Sequence, residues 1–376
     1  MARNSSLHAA KTSRQDEFYT KYQDIQAELD HYKEHFEGKT VLCNCDDPFE
    51  SNFCKFFLKN FHGYKLKRLV CTGCGTRPGT QGKGYVLDVA DVLAEVRAGG
   101  TDITDSGIGR LLYGGTVHEL EGNGDFRSAE CIEYLKQADI VVSNPPFSLF
   151  REYASRLTGY GKEFLIIGPQ NAIPYKEFFP LLKDNRVWLG CTAGSRDYLV
   201  PHGYGTGDAG VHMDRDGRMV KSMGNTAWFT NLDHAKRHEP LALAGHYYGH
   251  EEDYQRYDNY DCINVDRVKD IPGDYFPTGG YAAEIYEGRG DLEAAQCARE
   301  AAGGAEGCNG IMGVPITFLD RYCPEQFEIV GSAYGNSRKN KFYGEVAYTQ
   351  HPDDRGGCGI IDGKRKYGRI FIRAKI

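Results

Sequence analysis

Residues 139–150 read DIVVSNPPFSLF, and the pair of prolines behind the apolar run limits the fold of this chain more than any other feature. Ile140, Val141 and Val142 are β-branched and consecutive, the pattern of a short strand covered on both faces. Pro145 and Pro146 have no amide hydrogen to give a neighbouring strand, so the ladder stops there. The chain must leave the sheet in a stiff loop that presents Asn144 and Phe147 at the strand's carboxyl end. In open α/β sheets that end is where ligands bind.

The rest of the amino-terminal half alternates short apolar strands with helices. Ile25, Leu29, Tyr32 and Phe36 recur at helical spacing within 22–36, and KTVLC at 39–43 follows as a buried strand. The loop NCDDP leads into a helix at 51–61 with Ser51 as its N-cap. KLKRLVC (65–71), EFLIIG (163–168) and VWLG (187–190) read as further strands. The alternation predicts a doubly wound α/β sheet, mostly parallel, with helices on both faces. Beyond residue 190 the texture shifts to Gly, Tyr, Asp and His with weaker periodicity, and 276–309 reads as an insertion around a short Ala-rich helix.

Composition narrows the setting. No apolar run approaches the roughly 18 residues of a membrane span. The polar, basic start MARNSSLHAAKTSRQDEFYT lacks the apolar centre of a secretory signal. Twelve cysteines without a disulfide-like framework read as reduced thiols in a cytoplasm. The net charge of −7 hides a segregation: KRKYGRIFIRAKI (364–376) carries six basic groups and no acid, SRKNKF (337–342) adds three, and HEEDYQRYDNYD (250–261) collects acids. A solvated face and a basic face for a polyanion account for this equally well.

The Asn-Pro-Pro-Phe loop supplies what an exocyclic amine on a planar ring needs to become a nucleophile. Such an amine has its lone pair delocalised into the ring. Two acceptors, the side-chain amide of Asn144 and the carbonyl of Pro145, favour a tetrahedral nitrogen and meet the charge that builds on it. Phe147 offers a flat apolar face for the ring. Asn144, Pro145, Pro146 and Phe147 are therefore the candidate catalytic residues. The same tetrapeptide also makes a rigid strand exit; its place behind a buried strand favours the chemical reading.

That chemistry requires an activated methyl donor, whose pocket is expected upstream. The first strand ends in CNCDDP (43–48), where a nucleotide-binding fold usually carries a glycine-rich turn. Asn44, Asp46, Asp47 and Pro48 stand there instead, and the carboxylates suit a cationic amino group. An Asx turn and a helix cap explain DDPFES equally well. NGDFRS (123–128) precedes the NPPF strand by one helix, and Asp125 with Phe126 suits an adenine amino group and ring. A turn followed by a helix capped at Ser128 explains it without a ligand. Cys71 and Cys74 form a lone CxxC, and Cys43 and Cys45 a CxC, with no second pair at zinc spacing, so no metal is expected. VHEL (117–120) lacks the second histidine of a metalloprotease helix.

Together these stretches resemble the EcoRI-type adenine-N6 DNA methyltransferases. The resemblance runs in order through DEFYT (16–20), CNCDDPFESNF (43–53), GDF (124–126), NPPF (144–147), NTAWFTNL (225–232), YDNYDCINVDR (257–267), GVPITFLDRYCPEQFEIVG (313–331) and IIDGKRKYGRIFIR (360–373), nearly the whole chain. CNCDDP and GVPITFLD are its specific parts. It implies a Rossmann-like class I methyltransferase core over 1–235 that binds S-adenosylmethionine, and a carboxyl-terminal target-recognition region over 236–376. It implies that Asn144, Pro145 and Phe147 engage a flipped adenine, with Trp228 or Phe229 as a second aromatic wall. Tyr19 and Thr20 would face the methionine part of the cofactor, Asp46 its amino group, and Asp125 and Phe126 its adenine. Arg338, Lys339, Lys341, Lys364, Arg365 and Lys366 are the expected DNA contacts. The family pattern departs from the wider superfamily in lacking the glycines at 43–48. Cys71 and Thr72 also stand where an acidic residue usually holds the ribose. The expectation is a cytoplasmic bacterial or phage enzyme, monomer or weak dimer, acting on duplex DNA with a cognate restriction endonuclease as partner. The competing readings are a methyltransferase for RNA adenine or protein glutamine, and a DNA-binding protein without catalysis.

Overall fold

The computed structural model describes residues 18–75, 79–80, 82–90, 105–200, 210–282 and 307–375. Most of the segment read as an insertion, and Asp16 and Glu17 of DEFYT, lie outside the described residues. The chain divides into two compact units, Met1–Ala172 with Leu189–His234, and Ile173–Trp188 with Ala235–Ile376.

In the first unit the strands are β1 (Tyr19–Thr20), β2 (Thr40–Asn44), β3 (Arg68–Cys74), β4 (Gly84–Val89), β5 (Val117–Glu119) and β6 (Ile140–Ser143). They continue as β7 (Glu163–Pro169), β8 (Trp188–Leu189, where the chain re-enters this unit), β9 (Arg196–Leu199), β10 (Val211–Met213), β11 (Met219–Met223) and β12 (Thr226–Thr230). Helices α1 (Tyr22–Leu29), α2 (Asn52–Lys59), α3 (Asp105–Tyr113), α4 (Ala129–Gln137) and α5 (Phe150–Gly159) connect them. One sheet has the order β5-β4-β3-β2-β6-β7-β12-β8. Its centre, β3-β2-β6-β7, is parallel, because β2 and β6 are apolar runs buried at every position and need cover on both faces. The sheet is mixed at its flanks: β4, β5 and β12 run antiparallel to their neighbours. A smaller antiparallel sheet, β1-β9-β11-β10, joins the amino-terminal strand to a hairpin.

Three boundaries differ from the sequence reading. The strand expected at 65–71 runs to Cys74, because Thr72, Gly73 and Cys74 find ladder partners in β4. The helix expected over 22–36 is α-helical to Leu29 and continues as 3₁₀ turns to Phe36; all four periodic apolar residues are buried regardless. The helix expected at 51–61 ends at Lys59.

The connectivity fixes where a ligand would go. From β2 the chain works outward through β3, β4 and β5, then returns to the other side of β2 as β6 and β7. The direction of travel reverses between β2 and β6, which are parallel neighbours. Their carboxyl ends carry CNCDDP and NPPF.

The second unit holds β13 (Ile263–Asn264), β14 (Ile311–Pro315), β15 (Phe327–Ala333), β16 (Ile360–Ile361), β17 (Lys364–Arg365) and β18 (Arg369–Ala374). Four form a sheet in the order β13-β14-β18-β15, with β18 buried at every position, while β16 and β17 make a separate hairpin. Among the described residues no helix is long and apolar enough to cross a membrane.

Candidate active site at the carboxyl ends of the central strands

Asn144 leaves β6 with its side chain buried, and its Nδ2 donates to the carbonyl of Phe18 at 2.6 Å. A carbonyl oxygen can only accept, so the nitrogen lobe of the amide is committed there and Oδ1 is turned away from it as the remaining acceptor. Two residues on, the carbonyl of Pro146 takes the amide of Leu149 at 2.9 Å and starts the turn Phe147–Leu149. Among the described residues no donor is bonded to the carbonyl of Pro145. The loop thus carries two oxygen acceptors, beside the half-buried ring of Phe147, which stands edge-on to Tyr198 at 6.4 Å.

The Phe18 carbonyl belongs to the segment leading into β1. Two residues later the carbonyl of Thr20 accepts from Asn52 Nδ2 at 2.7 Å. Carbonyls at i and i+2 point the same way in extended chain. The amino-terminal strand is therefore stitched between the NPPF loop and the start of α2 by two asparagine side chains. Tyr19 between them is half-buried, and the buried hydroxyl of Thr20 has no hydrogen-bond partner among the described residues.

The loop after β2 is equally constrained. The tight turn that a glycine usually makes is made by Cys45 at φ 74°. Asp47 Oδ1 accepts the amide of Phe49 at 3.1 Å, an Asx turn, and Ser51 caps α2 through the amide of Cys54 at 3.3 Å. Both turn and cap are present, and Asp46 is more than either: its Oδ2 accepts from Ser51 Oγ at 2.9 Å, which holds a buried carboxylate at the end of β2. Asn44 has both oxygens taken, its carbonyl by Ser143 Oγ and its Oδ1 by Tyr153 Oη, so it braces the loop. Burial pushes the pKa of the Tyr153 hydroxyl well up and keeps it a donor.

The glycines missing from the loop are found opposite it. A Cβ on Gly73 of β3 would stand 2.0 Å from the carbonyl oxygen of Asp46, and one on Gly124, at φ +76°, would stand 2.3 Å from that of Gly73. Three backbone segments close up there only because both positions lack side chains. Gly124 leads into Asp125, whose carboxylate accepts from the amide (2.8 Å), Nε (2.8 Å) and Nη2 (2.5 Å) of Arg127. Those bonds hold its pKa below the usual range. Phe126 is buried edge-on to Tyr153 at 5.1 Å, and the same helix cap at Ser128 that the sequence suggested follows. Tyr153 thereby links the loop after β2 to Phe126.

The rings proposed as a second wall are placed otherwise. Trp228 and Phe229 lie in β12 at 0% exposure, Trp228 edge-on to Phe53 at 6.1 Å and Phe229 packed on Phe150 at 5.4 Å. Neither presents a free face, because a strand inside the sheet buries residues on both sides. In the second unit Lys339, Lys341, Lys364 and Arg365 are exposed, Lys366 is half-buried with its Nζ 3.3 Å from Gln255, and Arg338 is half-buried beside Tyr348. Cys71 lies buried with Cys43 and Cys54, and Cys74 Sγ reaches the carbonyl of Asn123; no group of three metal-ligating side chains occurs among the described residues. Sequence reasoning missed Phe18, Asn52, Ser143, Tyr153, Gly73 and Gly124. Gly73 sat within a CxxC weighed only as a metal motif and set aside, and Phe18 within DEFYT, but a backbone carbonyl carries no signature of its own.

The family described as "Adenine-specific methyltransferase EcoRI" matches residues 6–285 and 306–375. The unmatched stretch falls inside 276–309. The chain is similar to the type II methyltransferase M.EcoRI of Escherichia coli, at 39% identity over 380 residues, covering 100% of this chain and 99% of that protein. It is 33% identical to the type II methyltransferase M.MpnI of Mycoplasma pneumoniae, with 98% of each covered. It is 31% identical to the type II methyltransferase M.MgeORF184P of Mycoplasma genitalium, again with 98% of each covered. No solved structure gives a significant match.

Proposed function

The chain belongs to the EcoRI family of adenine-specific methyltransferases, and from that premise we propose that it methylates N6 of an adenine swung out of duplex DNA. The observation that carries the reading is the Asn144 amide, pinned by its nitrogen to Phe18 so that its oxygen remains to accept. Oδ1 of Asn144 and the carbonyl of Pro145 each take one hydrogen of the exocyclic amine. The nitrogen is drawn towards a tetrahedral geometry, and its lone pair leaves conjugation with the ring. As the new N–C bond forms, the same two oxygens meet the positive charge on the nitrogen. Phe147 supports the ring plane. No basic side chain is needed, and the surplus proton passes to solvent.

When bound, S-adenosylmethionine would supply a sulfonium-activated methyl group, its S–CH3 bond breaking as the N–C bond forms and S-adenosylhomocysteine leaving as a neutral thioether. The residues suit it: the carboxylate of Asp46 answers a cationic amino group, the buried, unpartnered hydroxyl of Thr20 a polar neighbour, and Asp125 with Phe126 an adenine. Tyr19, Asn44, Asp47 and Pro48 complete that pocket, Asn44 and Asp47 as its braces. The reversal of strand order between β2 and β6 supports a Rossmann-like class I core over 1–235. The exposed Lys339, Lys341, Lys364 and Arg365 support target recognition by 236–376. The relatives are type II methyltransferases of bacteria, which supports a restriction–modification setting; a cognate endonuclease in the same cytoplasm completes the proposal.

Methyl-labelled S-adenosylmethionine offered together with plasmid DNA, cellular RNA and protein tests the substrate class. Label in the DNA fraction alone is expected. Label in RNA or protein glutamine, with none in DNA, would overturn the reading.

A further inference from the structure

Tyr367 is 88% exposed, the most exposed large apolar side chain among the described residues, where it makes no ring contact or hydrogen bond. Lys364 and Arg365, three and two residues before it, are exposed on β17. The backbone beneath is held from both sides. β16 and β17 are joined through Asp362 and Gly363 at φ 51° and 69°, the signs required by a two-residue type I′ turn. The amide of Lys366 donates to the carbonyl of Gly359 at 2.8 Å. Gly368 lies flat on Tyr334, where a Cβ would come within 2.2 Å of the ring. Arg369 then opens the buried strand β18, with Nη2 3.0 Å from Asp266 and Nε 3.2 Å from Asn264. The ring is therefore displayed to solvent by ordered chain and is no frayed tip.

The nearby acids are engaged by the protein itself: Asp258 accepts the amide of Gly363 at 2.9 Å, Asp362 the side chain of Gln255 at 3.4 Å, and Asp266 that of Arg369 at 3.0 Å. An exposed aromatic within three residues of two exposed cations fits a nucleic acid, whose bases offer π faces and whose backbone offers phosphates. A hairpin that bound phosphates alone would have no use for the ring. A protein–protein interface, whose core is poor in lysine, suits the exposed Lys364 less well than a polyanion does.

We propose that Tyr367 is a DNA-contacting residue whose ring packs on a base or sugar of the duplex, while Lys364 and Arg365 take phosphates beside it. This rests on the DNA reading above and adds the residue through which the second unit meets more than charge.

The test is equilibrium binding across a salt series, using a labelled duplex cut from a plasmid site that the wild-type protein methylates. Tyr367→Ala is expected to weaken binding by about fivefold or more, the effect of one lost aromatic contact, with an unchanged salt slope. Tyr367→Phe is expected to bind as wild type. Lys364→Gln with Arg365→Gln is expected to lower the slope by about two. Binding of S-adenosylmethionine should be the same in all variants, which controls for folding. Tyr367→Ala within about twofold of a methylating wild type would overturn the inference, and so would a Tyr367→Phe variant as weak as Tyr367→Ala, which would assign the effect to the hydroxyl. A wild-type protein that neither binds nor methylates any DNA would overturn the functional reading first.

Discussion

The two lobes of an amide side chain have the same shape and opposite chemistry, and only the surroundings decide which one faces a substrate. At Asn144 the decision is made by the Phe18 carbonyl, 2.6 Å from Nδ2. Asn144→Ala removes an acceptor aimed at developing charge, and methyl transfer is expected to fall by about a hundred- to a thousandfold or more. Calorimetric binding of S-adenosylmethionine should stay near wild type. Asn144→Asp asks a sharper question. A carboxylate there would oppose a carbonyl oxygen, whereas the neutral acid can donate to Phe18 and still accept with its other oxygen. That contact raises the carboxyl pKa, so the competent neutral form exists at low pH and is lost as pH rises through it. The variant's rate is expected to decline with rising pH over about pH 5 to 8, where the wild-type asparagine does not titrate. Equal rates at both ends of that range would show that Phe18 does not set the orientation.

Among the elements, β3 admits the DDP loop only because Gly73 has no side chain. Gly73→Ala is expected to displace that loop at a cost of about 1–3 kcal/mol, lowering the melting temperature and cofactor affinity together. A destabilised variant with undiminished affinity would separate the loop from the cofactor. Glu28 anchors α1: its buried carboxylate accepts from Tyr32 Oη at 2.9 Å, from the amides of Cys191 and Thr192 at 2.7 Å each, and from Thr192 Oγ1 at 2.5 Å. Glu28→Ala strands those amides, and denaturant titration is expected to show a loss of about 2–5 kcal/mol. The central strands were legible in the sequence because β2, β6 and β7 are unbroken apolar runs with one possible environment. β4 and β5 were not, since GYVLDV and VHE pair as antiparallel flanks that need no such run. The positions of NPPF and DDP were legible because each closely follows a recognisable buried strand, β6 or β2. The contact that orients Asn144 was not, because it joins side chain to backbone across 126 positions. Trp228 and Phe229 misled as a base wall: TAWFT is itself a buried strand, and aromatic character alone does not say which way a ring faces.

At the scale of the whole molecule the net charge of −7 says little, because exposed Lys339, Lys341, Lys364 and Arg365 gather in one unit. Replacing Lys339 and Lys341 by glutamine is expected to weaken binding to all DNA sequences alike and to lower the salt slope by about two, as read by titration at several salt concentrations. An unchanged slope would remove these two lysines from the DNA interface. Charge, however, only delivers a duplex; the claim at the centre is that Asn144 makes an adenine amine nucleophilic. Mass spectrometry of nucleosides from plasmid DNA incubated with S-adenosylmethionine, wild type beside Asn144→Ala, tests this most directly. An N6-methyldeoxyadenosine peak is expected from the wild type and none above background from the variant. No modified adenine from the wild type, or equal peaks from both proteins, would contradict it.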